Sequence, residues 1–443
     1  MKCLILAAGK GSRLSHKGAP KPLVPLLGLP LLERVILNAR SSGVTEFYVV
    51  VGYAGEAVQR FLEGLGRRRN VKITPIPNES WERENGLSVL KAKGQLGEER
   101  FLLLMGDHLV DEGILRRLQE EPLEEGELVL AVDSRVGANP YVDLEDVTRV
   151  LVTQGRVADI GKRLSRYNAF DTGVFLCSSA LFSAIETSMA EQGDSSLTGG
   201  VRLLAKQGRV RALDIQDRFW IDIDDEAAFR KAERHLLEGL VKSTDGPVSR
   251  YLNRPLSLWI TKRFLLNRRI TPNQISFFSF LLSMAASALF CWGHGAALAA
   301  GGVLAQLSSV VDGCDGEVAR LKHEESDFGG WFDAVLDRYA DGFLLLGLTY
   351  FAYAAHTAFW VPGIGFLAIL GTFMNSYTAD KYDGFMRRTL GSRRSYFRLG
   401  RDVRMFLIFL GALAQQPLLV LGCIALLMNV ETIRRIVVLH RRG

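Results

Sequence analysis

The sequence predicts two folds in tandem: an α/β domain built on a parallel, helix-covered sheet, then an all-α membrane domain of six transmembrane helices. Three observations carry this. In the first half, apolar strand-like runs alternate with amphipathic helical stretches. From about residue 274, apolar runs long enough to cross a bilayer alternate with short polar loops. Lys and Arg are absent from 274–318, 339–380 and 405–433 and cluster between those stretches, as the positive-inside rule asks of a multi-span protein.

The elements follow in order. "KCLILAA" reads as a buried strand and "LPLLERVILNARSSG" as an amphipathic helix ending at Gly43. "TEFYVVVG", "AGEAVQRFLEGLG" and "ERFLLLMGD" continue the strand, helix, strand alternation. Ligands on such sheets bind beyond the carboxyl ends of the strands. "DIDDEAAFRKAERHLLEGL" closes the first domain, placed at 1–240, and "VKSTDGPVSR" opens a linker. Within 241–270, "RYLNRPLSLWITKRFLLNR" mixes Leu, Trp, Phe and Ile with Arg and Lys, the mark of an amphipathic helix on a membrane surface. The six spans fall near 274–292, 296–319, 329–353, 357–380, 403–415 and 416–434, within a domain of 271–443. Basic clusters before span one and after spans two, four and six put both termini in the cytoplasm.

Charge narrows the partners. The formal net charge is +6, and the basic excess gathers around the second half, with eight Lys and Arg against two Asp between Lys381 and Arg404. This suits lipid headgroups or phosphorylated substrates. Nucleic acid is not expected, because no basic module interleaved with aromatics is present. Five scattered cysteines show neither metal-type nor redox-type spacing, which fits a reducing compartment. "MKCLILAAGKGSRL" turns glycine-rich too early for a signal peptide.

Two stretches carry chemistry. Asp312 and Asp315 are three apart and share a face at the end of the second span; Asp333 and Asp337 are four apart at the start of the third. A hairpin of these spans brings four carboxylates together, and they cannot all ionise side by side unless cations hold them. An oxygen-only ligand set suits Mg²⁺, with Mn²⁺ as the alternative, and two ions. Gly313, Gly316, Gly329 and Gly330 allow close approach, and Arg320 can pair with a phosphate oxygen.

The pattern D-x2-D-G-x2-A-R-x8-G-x3-D-x3-D is met by Asp312, Asp315, Gly316, Ala319, Arg320, Gly329, Asp333 and Asp337. Residues 250–443 thereby resemble the CDP-alcohol phosphotransferase family, membrane enzymes that move a phosphoalcohol to an acceptor hydroxyl and release CMP. The resemblance implies that Asp312, Asp315, Asp333 and Asp337 surround two metal ions and that Asp337 is the base for the acceptor. It implies nucleotide contacts at Asn273 and Ser276 in "TPNQIS", at Ser326, and at Gly316 and Arg320. Lys381, Arg401 and Arg404, on the same side as the aspartates, are candidates for holding a phosphate-bearing acceptor; simple positive-inside anchoring explains them as well.

"LAAGKGSRLSHKGAPKPL" follows the first strand, where a phosphate loop belongs. It lacks the third glycine of G-x-G-x-x-G, because position 14 is Leu, and it lacks the Gly-Lys-Ser/Thr ending of a P-loop. The G-x-G-S-R-L run with Lys21-Pro22 resembles the sugar-phosphate nucleotidyltransferases, implying a Rossmann-like nucleotidyltransferase domain. In that family the loop, here with Ala8, Gly9 and Gly11, wraps a triphosphate while Arg13 and Lys21 neutralise it. Asp107 in "LLMGDH", with Asp222 and Asp224 in "WIDID", would hold one or two divalent ions. Asn85 and Ser88 in "ENGLS" would meet the nucleotide, and Lys162 and Gly173 the sugar phosphate.

Taken whole, with "ENGLSVL", "MGDH", "WIDIDDEAAF" and "DGCDGE" in this order, the chain resembles the family of bifunctional inositol-1-phosphate cytidylyltransferase/di-myo-inositol-phosphate-phosphate synthases. The resemblance implies CTP and inositol 1-phosphate as substrates, CDP-inositol as the shared intermediate, compatible-solute synthesis as the context and a homodimer as the assembly. The residues leave open another alcohol or a lipid acceptor, as in phospholipid synthesis, and a regulatory, non-catalytic front domain. An ion transporter is disfavoured: the aspartates lie near one membrane face, and no inverted repeat is present.

Overall fold

The computed structural model describes residues 1–241, 245–390 and 400–440, with backbone alone at 15, 380–390 and 439. The chain divides into two compact units, Met1–His235 and Leu236–Gly443.

The first unit is built on a nine-stranded sheet. Its strands are β1 (Lys2–Ala7), β2 (Glu46–Val51), β3 (Lys72–Pro77), β4 (Phe101–Met105), β5 (Leu128–Asp133), β6 (Arg149–Thr153), β7 (Arg156–Gly161), β8 (Ala169–Cys177) and β9 (Val210–Asp214). They lie in the order β3-β2-β1-β4-β8-β5-β9-β7-β6. β1 is buried at Cys3, Leu4 and Ile5, because a continuous apolar run belongs in a strand covered on both faces. The first four strands are parallel, as the alternation of strands and helices predicts. The expectation of a wholly parallel sheet needs correcting beyond them. β8 runs antiparallel to β4 and β5, and β6 and β7 form a hairpin. The hairpin has a local cause: Gln154 and Gly155 both take positive φ, which turns the chain back in two residues and leaves no length for a crossover helix.

A short two-stranded ribbon sits beyond the sheet. Trp220–Asp222 pairs antiparallel with His108–Val110, and Asp222 stands opposite His108. Residues more than 100 apart in sequence thus meet next to the carboxyl ends of β1 and β4.

Among the described residues, the second unit holds six long helices: α1 (Pro272–Cys291), α2 (Gly295–Leu321), α3 (Asp327–His356), α4 (Val361–Leu390), α5 (Arg401–Leu413) and α6 (Pro417–His440). Thr271 and Gln274 form a reciprocal cap at the start of α1, with Pro272 fixed at the first helical position. α1 packs on α2 and α3, α2 on α5, and α4 on α6. Among the described residues, three helical stretches are long and apolar enough to cross a membrane: Pro272–Cys291, Gly295–Leu321 and Pro417–Val438.

The outer face of this unit is apolar, unlike that of a water-soluble bundle, and polar groups lie inside beside an apolar core. Ser279, Ser283 and Ser308 are buried, whereas Phe278, Leu346, Phe366 and Leu426 are exposed. The segment before α1 repeats the pattern: Asn253, Arg254, Ser257 and Thr261 face inward, while Tyr251, Leu256, Trp259 and Phe264 face outward. The inward face meets Glu317 of α2, fully buried, whose carboxylate accepts from Arg254 (2.9 Å), Ser257 (2.5 Å) and Thr261 (2.7 Å). Asp245 takes the other edge of the Arg254 guanidinium at 2.9 and 3.1 Å. A buried carboxylate is tolerable only when paired and hydrogen-bonded, so Glu317 fixes the segment onto α2.

Asp133, at the end of β5, is fully buried and accepts from Arg135 (2.9 Å), Asn139 (2.6 Å) and the Trp220 indole (2.8 Å). Burial opposes its charge, but these donors outweigh that and hold its carboxyl below the usual range. The bonds therefore stabilise the fold above the ordinary carboxylate pKa of about 4, and that contribution is lost as pH falls through the depressed value. Asp133→Ala should lower unfolding free energy by about 3 kcal/mol near neutral pH. Denaturation of the detergent-solubilised chain, followed by hydrogen exchange in β5 and at Trp220, measures this, and the deficit should shrink toward pH 3.

Candidate active sites

In the first unit, the loop after β1 carries Gly9, Gly11, Arg13 and Lys21. Gly11 has φ near +58°, and a Cβ there would overlap the Lys21 side chain, so glycine lets the loop fold over its own lysine. Lys21 is buried, and its Nζ donates to Asp107 at 2.6 Å and to Asp224, with Asp222 at 4.0 Å. Burial disfavours its charge, yet Asp107, Asp222 and Asp224 hold its pKa above that of an ordinary lysine. Ala8 is buried at the base of the loop, its carbonyl accepting from Tyr53 N.

An adjoining cleft of about 540 Å³ is lined by Arg13, Asn85, Lys162 and Gly173, together with Asp222 and Asp224. Arg13 pairs with Asp146 at 3.0 Å and reaches Asp224 at 3.7 Å, while Lys162 pairs with Asp146 from the other side. Asn85 faces the cleft while its Oδ1 accepts from Leu197 N at 2.9 Å. Ser88 does not line the cleft: it is buried, and its hydroxyl accepts from Asn78 at 2.9 Å. Gly173 has φ near +73°, and a Cβ there would strike the His108 ring.

His108 of "MGDH", which no sequence motif marks as functional, is central here. Its Nδ1 lies 2.9 Å from the Thr172 carbonyl, which can only accept, so Nδ1 carries a proton. Its Nε2 lies 3.3 Å from Asp222. Burial favours the neutral ring, but Asp222 and Asp107 raise its pKa to about 10. Burial likewise raises Asp222, and His108 and Lys21 reverse that and hold it below the usual carboxylate range. Asp224 is raised, by burial and then by Asp222. Asp171, in the same cleft, is pushed up to about 6 by burial, against a hydrogen bond from Gly173 N. Asp107, His108 and Asp222 offer ligand atoms within 4.8 Å of one another.

In the second unit, the end of α2 meets the start of α3. Oxygens of Asp312, Asp333 and Asp337 lie within 4.8 Å of one another. Ser276 donates to Asp315, and Ser279 donates to Asp312 at 3.2 Å. The Arg401 guanidinium reaches Asp312 at 2.9 Å, Asp337 at 2.5 Å and Asp341 at 3.3 Å. Arg404 donates to Asp341 at 2.6 Å. Asp341, one turn beyond Asp337, and Asp146 in the first unit are charged partners with no motif to announce them. Each meets residues distant in sequence, and only the 3.6-residue period from Asp333 and Asp337 hinted at Asp341.

The remaining motif residues meet one another at the ends of the same helices. A Cβ at Gly316 would lie 3.1 Å from Arg320, and one at Gly329 would lie 3.3 Å from Asn273. Arg320 reaches the Leu240 carbonyl at 3.5 Å. The Ser326 hydroxyl accepts from Gly329 N at 3.0 Å and so caps α3. The side chain of Lys381 lies outside the described residues.

Both carboxylate sets suit divalent cations. Among the described residues, Asp222 Oδ1 and Asp333 Oδ1 are buried without a hydrogen-bond partner, an arrangement that a cation relieves.

Residues 3–209 match the MobA-like NTP transferase domain family, and residues 269–430 match the CDP-alcohol phosphatidyltransferase family. The chain is thus a transferase that joins a nucleotidyltransferase domain to a helical CDP-alcohol phosphotransferase domain, two families that typically use divalent metals. It is 38% identical to the "Bifunctional IPC transferase and DIPP synthase" of Rubrobacter xylanophilus over 99% of this chain and 96% of that one. It is 34% identical to the protein of the same name from Aquifex aeolicus, over 92% and 90%. The "inositol-1-phosphate CTP transferase from T. maritima" is 26% identical with a TM-score of 0.46, covering 53% of this chain and 93% of that structure. The chain belongs to the bifunctional IPC transferase and DIPP synthase family.

If the carboxylates of α2 and α3 hold cations, Mn²⁺ or Mg²⁺ at a hundredfold its dissociation constant should stabilise the helical unit by roughly 2.7 kcal/mol. Thermal melting of the detergent-solubilised chain would show an upward shift with either metal. Asp333→Asn should remove most of that shift while leaving the metal-free melting point near its original value.

Proposed function

We propose that the chain makes CDP-inositol from CTP and inositol 1-phosphate, and then transfers phosphoinositol to a second inositol 1-phosphate with release of CMP. One observation carries this reading: near full-length relatives are named for both activities, and each half here presents its own cation-bridged carboxylate cluster.

In the first step, an oxygen of the inositol 1-phosphate attacks the α-phosphorus of CTP, and pyrophosphate leaves. The attacking phosphate is already largely dianionic near neutral pH, so no protein base is required. Catalysis rests on charge neutralisation and alignment. Arg13 and Lys21 neutralise the triphosphate around Gly9 and Gly11, Asn85 borders the nucleoside, and Lys162 and Gly173 border the inositol phosphate. Asp107, Asp222 and Asp224 would hold the divalent ion of this site, which when bound draws charge from the phosphate oxygens.

In the second step, the acceptor hydroxyl oxygen bonds to the inositol-bearing phosphorus of CDP-inositol, and the bond from that phosphorus to the CMP oxygen breaks. Asp337 takes the hydroxyl proton as general base. Asn273, Ser276, Gly316, Arg320 and Ser326 surround the nucleotide, and Arg401 and Arg404 hold the acceptor phosphate with Lys381. Asp312, Asp315 and Asp333, with Asp337, would hold two divalent ions that offset diphosphate charge. The product is a phosphorylated di-inositol phosphodiester.

The six helices α1 to α6 span the membrane in this reading, with both termini and the soluble domain cytoplasmic. The outward aromatic and aliphatic residues support it, as does the grouping of Lys and Arg at one end of the spans. α5, with 13 residues, rises only about 20 Å and is the shortest of them. The domains fall at 1–240 and 271–443, joined by a juxtamembrane segment at 241–270, and the protein assembles as a homodimer.

The test separates the two steps with full-length protein in detergent, Mg²⁺, CTP and radiolabelled inositol 1-phosphate. The unmutated protein should form a water-soluble product larger than CDP-inositol. Asp337→Asn should accumulate CDP-inositol, with transfer reduced at least about a hundredfold. Lys21→Ala should form no CDP-inositol yet still consume CDP-inositol supplied to it. Label stopping at CDP-inositol in the unmutated protein would overturn the second step and point to another acceptor, and absence of CDP-inositol would overturn the first.

A further inference from the structure

Asp333, Asp337 and Asp341 recur every four residues along one face of α3, yet Asp341 is unlike the other two. It is 3% exposed, and both its oxygens are taken by arginines: Oδ1 accepts from Arg401 Nε at 3.3 Å and Oδ2 from Arg404 at 2.6 Å. A carboxylate so committed is a poor cation ligand and a good anchor for guanidinium groups.

The two arginines stand three apart on the first turn of α5 and so share one face. Arg401 meets Asp312 and Asp337 with its other edge. Arg404, also 3% exposed, is not satisfied. Among the described residues its Nε has no hydrogen-bond partner, and its Nη1 meets only the Met428 sulfur at 3.7 Å. N–H groups left unpaired in a buried site are costly. An oxyanion that accepts from them relieves that cost, and a phosphate monoester has the charge and the forked oxygens for it.

We propose that Asp341 is a positioning residue of the transfer step, holding Arg401 and Arg404 as a paired fork for the phosphate of the acceptor. This rests on the two-step reading above and deepens it. Asp341 touches neither donor nor acceptor; it fixes the angle at which Arg404 presents its remaining N–H groups and keeps Arg401 beside Asp337, where the acceptor hydroxyl reacts. A purely structural staple between α3 and α5 would instead affect donor and acceptor alike.

The experiment uses the full chain in detergent, supplied directly with CDP-inositol and inositol 1-phosphate, and measures transfer while each is varied. Asp341→Asn should raise the acceptor KM roughly ten- to hundredfold, the factor expected for losing a hydrogen bond between charged groups. The donor KM should stay within about twofold. Asp341→Glu, which keeps the charge, should recover most of the acceptor affinity. Because Asp341 acts through Arg404, Arg404→Lys and Asp341→Asn together should be no worse than the more severe single change. If Asp341→Asn fails to melt cooperatively, Asp341→Glu and Arg404→Lys carry the comparison, and the acceptor KM should again rise ahead of the donor KM.

Parallel rises in both KM values, a fall in kcat alone, or additive effects in the double variant would overturn the inference and leave the two-step reading standing. An unmutated protein that transfers to unphosphorylated inositol or to a lipid hydroxyl, and not to inositol 1-phosphate, would overturn both.

Discussion

Carboxylates crowded within a few ångström repel one another, and both sites of this chain are organised by that repulsion. Asp107, Asp222 and Asp224 converge on one lysine ammonium, and Asp312, Asp337 and Asp341 on one guanidinium. Without these cations the acidic groups could not stay close and charged. The parallel extends to function, since a phosphate-transferring site needs that concentration of negative ligand groups only when divalent cations and phosphates share it. Lys21 and Arg401 hold the acidic groups together.

The two units solve the burial of these charges differently. In the first, a sheet that turns from parallel to mixed frames the cleft, and the Asp222–His108 ribbon closes its floor. In the second, polar groups turn inward and apolar ones outward, so the aspartates, serines and arginines share an interior that the outer face of the helices shields. Glu317 extends that interior to the segment before α1, where Arg254, Ser257 and Thr261 converge on one carboxylate. The segment before α1 is thereby tied to the same helix that carries Asp312 and Asp315.

Much of this was legible in the sequence, for specific reasons. The carboxylates of α2 and α3 lie at helical spacing, and a period of 3.6 places them on shared faces without any tertiary information. β1, β2 and β4 could be read from apolar runs alternating with amphipathic helices, whereas β3, with Pro75 and Pro77 in it, could not. The turn to a mixed sheet could not, because strand direction past β5 depends on the two-residue Gln154–Gly155 turn and on which edge β8 finds free. The place of Ser88 in "ENGLS" suggests a ligand contact, but the structure buries it against Asn78.

The sequence by itself determined the order of the two domains, the outward apolar character of the helices and the identity of the acidic motif, since each is written in local period or spacing. Only the tertiary structure decided which charge meets which. Asp337 and Asp341 carry the same side chain at the same helical period, yet one joins the metal-type cluster and the other is locked to two arginines more than fifty residues away. His108 gains its place from Asp222, and Asp146 from Arg13 and Lys162, by the same kind of long-range encounter. Electrostatic pairing depends on distance in space, and local sequence period fixes only the face from which each side chain starts.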